Sequence, residues 1–442
     1  MTGRARSRGA AGAGHNVRIV PSSTSAPSPA GTSPGAQRAL RLWVPALLVS
    51  VAALAALWIK GGWPVDLEVY RWGGQLVADG DSLYAPREGL PFTYPPFAAL
   101  LFVPLALAPQ AVALGLVVLG SALGLVVVLR RALEGAREGS MTFLGHRLAP
   151  TWKVLGVLAV AAVVCEPMWQ TFSFGQVNLL LAGLLAADLL RRGDRPWRGV
   201  WLGVAAGIKL TPIFLLAWLV LSRQWRAAGV ALGAMLATIG LGFLVLPGDS
   251  RAFWTEVLPE TGRIGAPSYV ANQSVKGVLA RFLGDEAPAL DPAWFVISVV
   301  VGVVLVLAAA RLSALGDRSA GLWVASIGML LASPVSWSHH WVWMVPLALA
   351  VLCSAARKDV PRLARWAAGG MLAAAVLQVI WWVPSRDGRE LEWNAWQMVL
   401  GNAYVWGGLL LTVALVPLAA RQVRELLAGR GRELNSALVI LS

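Results

Sequence analysis

Thirteen apolar runs follow one another along this chain of 442 residues, at about 40–59, 95–108, 110–129, 151–165, 177–190, 198–208, 211–221, 227–246, 293–310, 319–332, 340–354, 366–383 and 398–419. Nothing else in the sequence constrains the fold as much. A helix needs roughly 20 apolar residues to cross a bilayer. Shorter runs broken by Gly or Pro are tolerated where the backbone lines a cavity or a protein interior. A soluble core has no room for so much apolar surface: 57% of the residues are hydrophobic and 14% charged, against about 25% charged in an ordinary soluble domain. The expected fold is therefore all-α, a polytopic membrane protein of about 12 transmembrane helices.

The connections carry the topology. The net charge is +14, and the basic residues fall in short clusters between the apolar runs. That is the pattern of cytoplasmic loops rather than of a nucleic-acid surface, so no nucleic-acid partner is expected. Basic segments at 130–153, 191–198, 223–226, 311–318, 357–365 and 421–432 alternate with less basic ones, which are expected outside. Thirteen crossings put the two termini on opposite sides, yet both ends look cytoplasmic. Either one run within 95–129 does not cross fully, or the loop at 130–153 departs from the rule.

Residues 1–38 read as a disordered cytoplasmic tail rich in Ser, Pro, Ala, Gly and Arg. Residues 39–422 read as the transmembrane domain and 423–442 as a cytoplasmic C-terminal tail. The run at 40–59 reads as an uncleaved signal anchor with Arg38 and Arg41 inside. The segment at 60–94 then lies outside, and Leu67, Tyr70, Gly74 and Val77 fall at the spacing of an interfacial helix. Cys165 and Cys353 sit in or beside apolar runs and read as buried free thiols.

Ionisable groups within a membrane are costly, so polar exceptions to the apolar pattern are informative. They gather on the expected outer side. Asp66 can act as a general base or as a helix N-cap beside Pro64. Tyr94 precedes Pro95-Pro96, which reads as a turn into the membrane with Tyr at the interface. Gln176 and Asn178 can hydrogen-bond a ligand or cap a helix. Lys209, between Gly207 and Pro212, can meet a phosphate or snorkel to the interface. Asn272-Gln273-Ser274 is polar and also spells a glycosylation sequon, while Arg263, Lys276 and Arg281 offer positive charge to an anionic lipid. His339 and His340 sit in the densest polar-aromatic cluster, Ser333 to Trp341. Adjacent positions on a helix point about 100° apart, which disfavours a shared metal and favours a phosphate or hydroxyl contact over it; an interfacial anchor is the plain alternative.

Taken in order, Asp66, Tyr94-Pro95-Pro96, Gly175-Gln176-Val177-Asn178, Gly207-Ile208-Lys209-Leu210-Thr211-Pro212, Asn272-Gln273-Ser274 and Ser333-Pro334 with His339-His340 resemble the GT-C glycosyltransferases of family 87. The resemblance covers about residues 40–420. It implies a polyprenyl-phosphate mannose donor, a membrane glycolipid or lipoglycan acceptor, and inverting transfer on the extracytoplasmic face of the cytoplasmic membrane. It also implies that Asp66 is the catalytic base and that one of His339 and His340 contributes to donor binding or catalysis. A phosphate leaving group needs positive charge rather than an acid, and Lys209, Arg263, Lys276 and a histidine can supply it. No cofactor and no metal are expected, since a phosphate leaving group lacks the pyrophosphate that usually recruits a divalent ion. The competing readings are a secondary transporter or lipid flippase of about 12 spans, which would place ionisable groups near the midplane, and a non-catalytic assembly partner in which Asp66 is dispensable.

Overall fold

The computed structural model describes residues 34–61, 63–85, 88–135, 142–143, 146–147, 149–191, 193, 195–352 and 360–441. Most of the tail expected over 1–38, and Cys353, lie outside the described residues. Leu40–Ser442 forms one of two compact units, the other being Met1–Ala39.

The chain runs through helices α1 (Pro34–Lys60), α2 (Val65–Asp79), α3 (Pro96–Leu107), α4 (Gln110–Gly135), α5 (Trp152–Val163), α6 (Glu166–Phe174), α7 (Asn178–Leu189), α8 (Val200–Ile208) and α9 (Phe214–Leu221). It continues with α10 (Trp225–Val245), α11 (Pro247–Ala252), α12 (Val275–Leu283), α13 (Leu290–Ala314), α14 (Arg318–Ala332), α15 (Met344–Leu352), α16 (Arg362–Val376), α17 (Ala395–Gly401) and α18 (Ala403–Leu441). A two-residue hairpin pairs Thr142–Phe143 with His146–Arg147. Short 3-10 turns at Thr211–Ile213 and Ser338–Trp343 lead into α9 and α15. The stretch 423–441, read from sequence as a tail, continues α18 without a break.

Each apolar run contains a helix, but few are long. Five are long and apolar enough to cross a membrane alone: α1 over Leu42–Ile59, α4, α10, α13 and α18 over Ala403–Ala428. Helices α5 and α6 would make a sixth as one span, bent by 82°. The fold is thus helical and membrane-spanning, while a count near 12 goes beyond what helix length supports. Helix α3 illustrates why. Its 12 residues rise about 18 Å at 1.5 Å each, short of the ~30 Å hydrocarbon layer. It lies along α2 instead, where Tyr70 stacks on Phe102 at 4.5 Å. Arg71 donates to the carbonyls of Leu105 and Ala108, the latter at 2.8 Å, closing the end of α3.

Two sequence features bring the site together. Helices α4 and α7 cross at Gly124 and Gly183. A Cβ on Gly124 would stand 2.1 Å from the Leu179 carbonyl oxygen, and one on Gly183 would stand 2.4 Å from the Gly124 Cα. Small residues allow this backbone contact, as is usual between membrane helices. Ser121 of α4 then donates to the Gln176 carbonyl at 3.2 Å. Gly175 ends α6 in the left-handed region, at φ 68°, and hands the chain to α7. A Cβ there would lie 2.8 Å from the Leu67 Cβ, so α2 rests directly on this turn.

Helix α2 starts where the sequence suggests. Pro64 occupies the N-cap position and makes no side-chain cap. Asp66 and Glu68 lie in the first turn, where carboxylates suit the helix dipole. Asp66 is therefore inside the helix rather than its N-cap.

Candidate functional site

The N-terminal turn of α2, the α6–α7 junction, the break between α8 and α9, and the turn before α15 meet at one cluster. Gln176 is its centre. Its side-chain oxygen accepts from the Tyr70 hydroxyl at 2.8 Å. Its amide nitrogen faces the Tyr94 hydroxyl at 3.5 Å and hydrogen-bonds the Asp66 carboxylate. The Tyr70 and Tyr94 hydroxyls are 3.2 Å apart. Sequence spacing places Tyr70 on one face of an interfacial helix. Its hydroxyl joins the site as well, which spacing alone does not signal.

Asp66 is partly buried. Burial pushes its pKa up from 3.8 to about 6, while the Gln176 hydrogen bond and the Lys209 charge pull it back. A carboxylate tuned this way is a stronger base than a free Asp and is still mostly ionised at neutral pH.

Lys209 faces it from the α8–α9 break. Its Nζ donates to the Asn178 Oδ1 at 3.0 Å and lies 3.0 Å from the His340 Nε2. An ammonium has only donors, so His340 accepts at Nε2 and carries its proton on Nδ1. The ammonium also sits 5.9 Å from the centre of the Tyr94 ring. Asn178 uses its other face to donate to the His339 carbonyl at 3.0 Å. The Thr171 hydroxyl donates to that same carbonyl at 3.0 Å. The His339 and His340 rings meet edge to face, 4.7 Å between centroids, and Phe174 approaches His339 the same way at 5.3 Å. The His339 Nε2 is buried and has no hydrogen-bond partner among the described residues.

Beside this polar cluster opens a small recess. Asn178, Lys209 and His340 form its polar end; Leu181, Leu185, Met329, Leu330 and Trp343 are among its apolar walls. Among the described residues, no three His, Cys, Asp or Glu side chains converge.

The remaining sequence candidates are placed elsewhere. Asn272 and Gln273 are fully buried. Asn272 donates to the Pro267 and Pro334 carbonyls at 3.0 and 3.3 Å and accepts from the Ser336 amide at 3.0 Å. Gln273 donates to the Val270 and Gly401 carbonyls, each at 2.7 Å. Both brace the loop before α12, and the sequon asparagine is closed off from a modifying enzyme. Lys276 pairs with Asp291 at 2.6 Å and lies over the Trp294 ring. Arg263 donates to the Tyr84 carbonyl at 3.3 Å. Arg281 is buried, holding the carbonyls of Ser268, Tyr269 and Asn272 and the Asn402 side chain. None of the contacts just described joins them to Asp66 or Lys209.

Sequence reasoning passed over Glu166, the first residue of α6. It is buried and accepts from Ser338 at 2.6 Å, Trp381 at 3.1 Å and Tyr404 at 3.0 Å. An acid beside a proline after an apolar run reads as loop, and its partners are too distant in sequence to signal otherwise.

The family model of glycosyltransferase family 87 matches residues 92–334. A polyprenol-phosphate-mannose-dependent alpha-(1-2)-phosphatidylinositol mannoside mannosyltransferase of Mycobacterium tuberculosis is 32% identical, over 88% of this chain and 93% of its own length. A polyprenol-phosphate-mannose-dependent alpha-(1-2)-phosphatidylinositol pentamannoside mannosyltransferase of Mycolicibacterium smegmatis is 35% identical, over 86% of this chain and 91% of its own. Among solved structures, ArnT from Cupriavidus metallidurans bound to undecaprenyl phosphate aligns over 86% of this chain and 77% of its own at 16% identity, with a TM-score of 0.36.

Proposed function

The chain belongs to glycosyltransferase family 87, and from that premise we propose that it transfers a mannosyl residue from polyprenyl-phosphate mannose to a membrane glycolipid or lipoglycan, with inversion, on the extracytoplasmic face of the cytoplasmic membrane. It is a mannosyltransferase dependent on a polyprenol-phosphate sugar, as its relatives are named. Phosphatidylinositol mannosides are the acceptor class that those names suggest.

The carrying observation is that one cluster holds a carboxylate, Asp66, that feels the charge of Lys209, the cation lining an apolar recess. The phosphate of the donor would sit at Lys209 and His340, with its first isoprene units along Leu181, Leu185 and Met329. The Lys209 ammonium has three N–H donors. Asn178 and His340 take two, and the third serves the phosphate.

Asp66 takes the proton of the acceptor hydroxyl. The hydroxyl oxygen forms a bond to the anomeric carbon from the side opposite the phosphate, and the carbon–oxygen bond to the phosphate breaks. The electron pair leaves with the polyprenyl phosphate, whose charge Lys209 offsets. A single carboxylate suffices for this inversion from a β-linked donor to an α-linked product, whereas retention by double displacement also needs a nucleophile. The leaving phosphate is weakly basic and needs no proton donor, and in the proposed step Lys209 supplies the positive charge in place of a divalent ion. A transporter reading gives no reason for the carboxylate, the amide and the cation to share one cluster.

The test is transfer of radiolabelled mannose from polyprenyl-phosphate mannose to a lipid acceptor, in membranes carrying the wild type or Asp66→Asn. Unchanged transfer by the variant rejects Asp66 as base. Absence of transfer by the wild type with any polyprenyl-phosphate sugar rejects the enzyme reading.

A further inference from the structure

We infer that Glu166 is a positioning residue for the transfer, holding the Ser338–His340 turn so that His340 meets Lys209; the inference rests on the mannosyl-transfer reading above.

Glu166 is 1% exposed. One carboxylate oxygen accepts from Ser338 Oγ at 2.6 Å and from Trp381 Nε1 at 3.1 Å; the other accepts from the Tyr404 hydroxyl at 3.0 Å. All three donors are neutral. Burying a carboxylate is costly unless its hydrogen bonds are complete, and apolar residues of similar volume often serve stability as well as a buried charge does. What the carboxylate supplies here is geometry: two oxygens in fixed directions, joined to three segments remote in sequence.

Ser338 is the residue before His339. Helix α6 thus grips this turn at both of its ends. Its first residue, Glu166, holds Ser338. Its later residues hold His339, Thr171 through the backbone carbonyl and Phe174 through the ring. His340 follows, its amide donating to the Trp337 carbonyl at 2.7 Å, and its ring reaches Lys209. Freeing Ser338 loosens the one side chain of this turn that touches the phosphate-binding cation.

The full chain is tested in membranes and in detergent, with Glu166→Leu, Glu166→Gln, Ser338→Ala and the Glu166→Leu/Ser338→Ala pair. Donor and acceptor KM, kcat and Tm are measured for each. Glu166→Leu is expected to lower kcat/KM for the donor by about 10²-fold, as misplacement by about an ångström does, with the acceptor KM unchanged. Glu166→Gln keeps an acceptor for Ser338 and Trp381 and is expected to restore most of the loss. The double variant is expected to be no worse than Glu166→Leu alone. Wild-type constants for Glu166→Leu, additive losses in the double variant, or a loss accounted for wholly by a lower folded fraction would each overturn the inference. Where Glu166→Leu does not fold, Glu166→Gln and Ser338→Ala carry the comparison, and wild-type donor kinetics for Ser338→Ala overturn it. Failure here with Asp66→Asn inactive leaves the transfer reading standing. Failure of the wild type to use the donor removes both.

Discussion

The Lys209 ammonium lies 3.0 Å from the His340 imidazole, although 131 positions separate the two in sequence. Asn178 closes the triangle, accepting from Lys209 and donating to the backbone of His339. The cation is thereby fixed in place before any ligand arrives. Preorganised charge of this kind stabilises a leaving phosphate without reorganisation at the moment of reaction.

Replacing Lys209 by Met keeps the length of the side chain and removes the charge. Transfer is expected to fall about 10²–10³-fold, with the larger share in kcat if the charge matters most as the phosphate departs. Lys209→Arg is expected to recover only part, because the planar guanidinium cannot reproduce both contacts of a compact ammonium. Steady-state kinetics on both variants check this.

Asp66→Asn removes the base and keeps the shape. Loss of a general base typically costs about 10²–10⁴-fold, so kcat is expected to drop within that range while donor binding persists. Binding of the labelled donor, measured beside turnover, separates the two effects. Equal losses in both would point to a ligand role for Asp66 instead.

The pH profile follows from the same carboxylate. Only its ionised form accepts a proton, and its pKa stands near 6, so activity is expected to rise with pH through about 6. The Gln176 hydrogen bond favours the charged form. Gln176→Leu removes it and is expected to move the rising limb to higher pH. A limb that stays in place, or moves down, counts against Asp66 as the titrating base.

Gly175→Ala tests the seat of α2. The position has φ 68°, and a Cβ would press on Leu67 at 2.8 Å. The left-handed conformation alone costs about 1–2 kcal/mol for a non-glycine residue. A lower Tm in detergent is expected, with transfer falling in parallel because Leu67 is the next residue after Asp66.

Transfer is expected to survive excess EDTA. Lost activity, restored by a divalent ion, would overturn the proposed metal-free step.

Much of this was legible in the chain itself. The apolar runs located the helices, and the polar exceptions at Asp66, Tyr94, Gln176, Asn178, Lys209 and His339-His340 mark the residues that meet. These stand out because each interrupts an apolar pattern where a polar group is costly. Asn272 and Gln273 stand out for the same reason, yet the fold uses them to satisfy buried carbonyls. Side-chain amides serve sugars and backbones equally, so residue type cannot separate the two uses. The span count was not legible either. Hydropathy marks apolar segments, whereas crossing depends on length, and α3, α7 and α9 are short. Glu166 escaped notice because its partners lie 172 to 238 positions further on.

The most distant of those partners, Tyr404, belongs to α18, the last of the described helices. The turn that carries His339 and His340 is therefore missing a support until the C-terminal segment has emerged from the ribosome and entered the bilayer. Synthesis order makes the enzyme late to mature: a nascent chain already holds Asp66, Lys209 and both histidines, but not the tyrosine that completes the brace behind them.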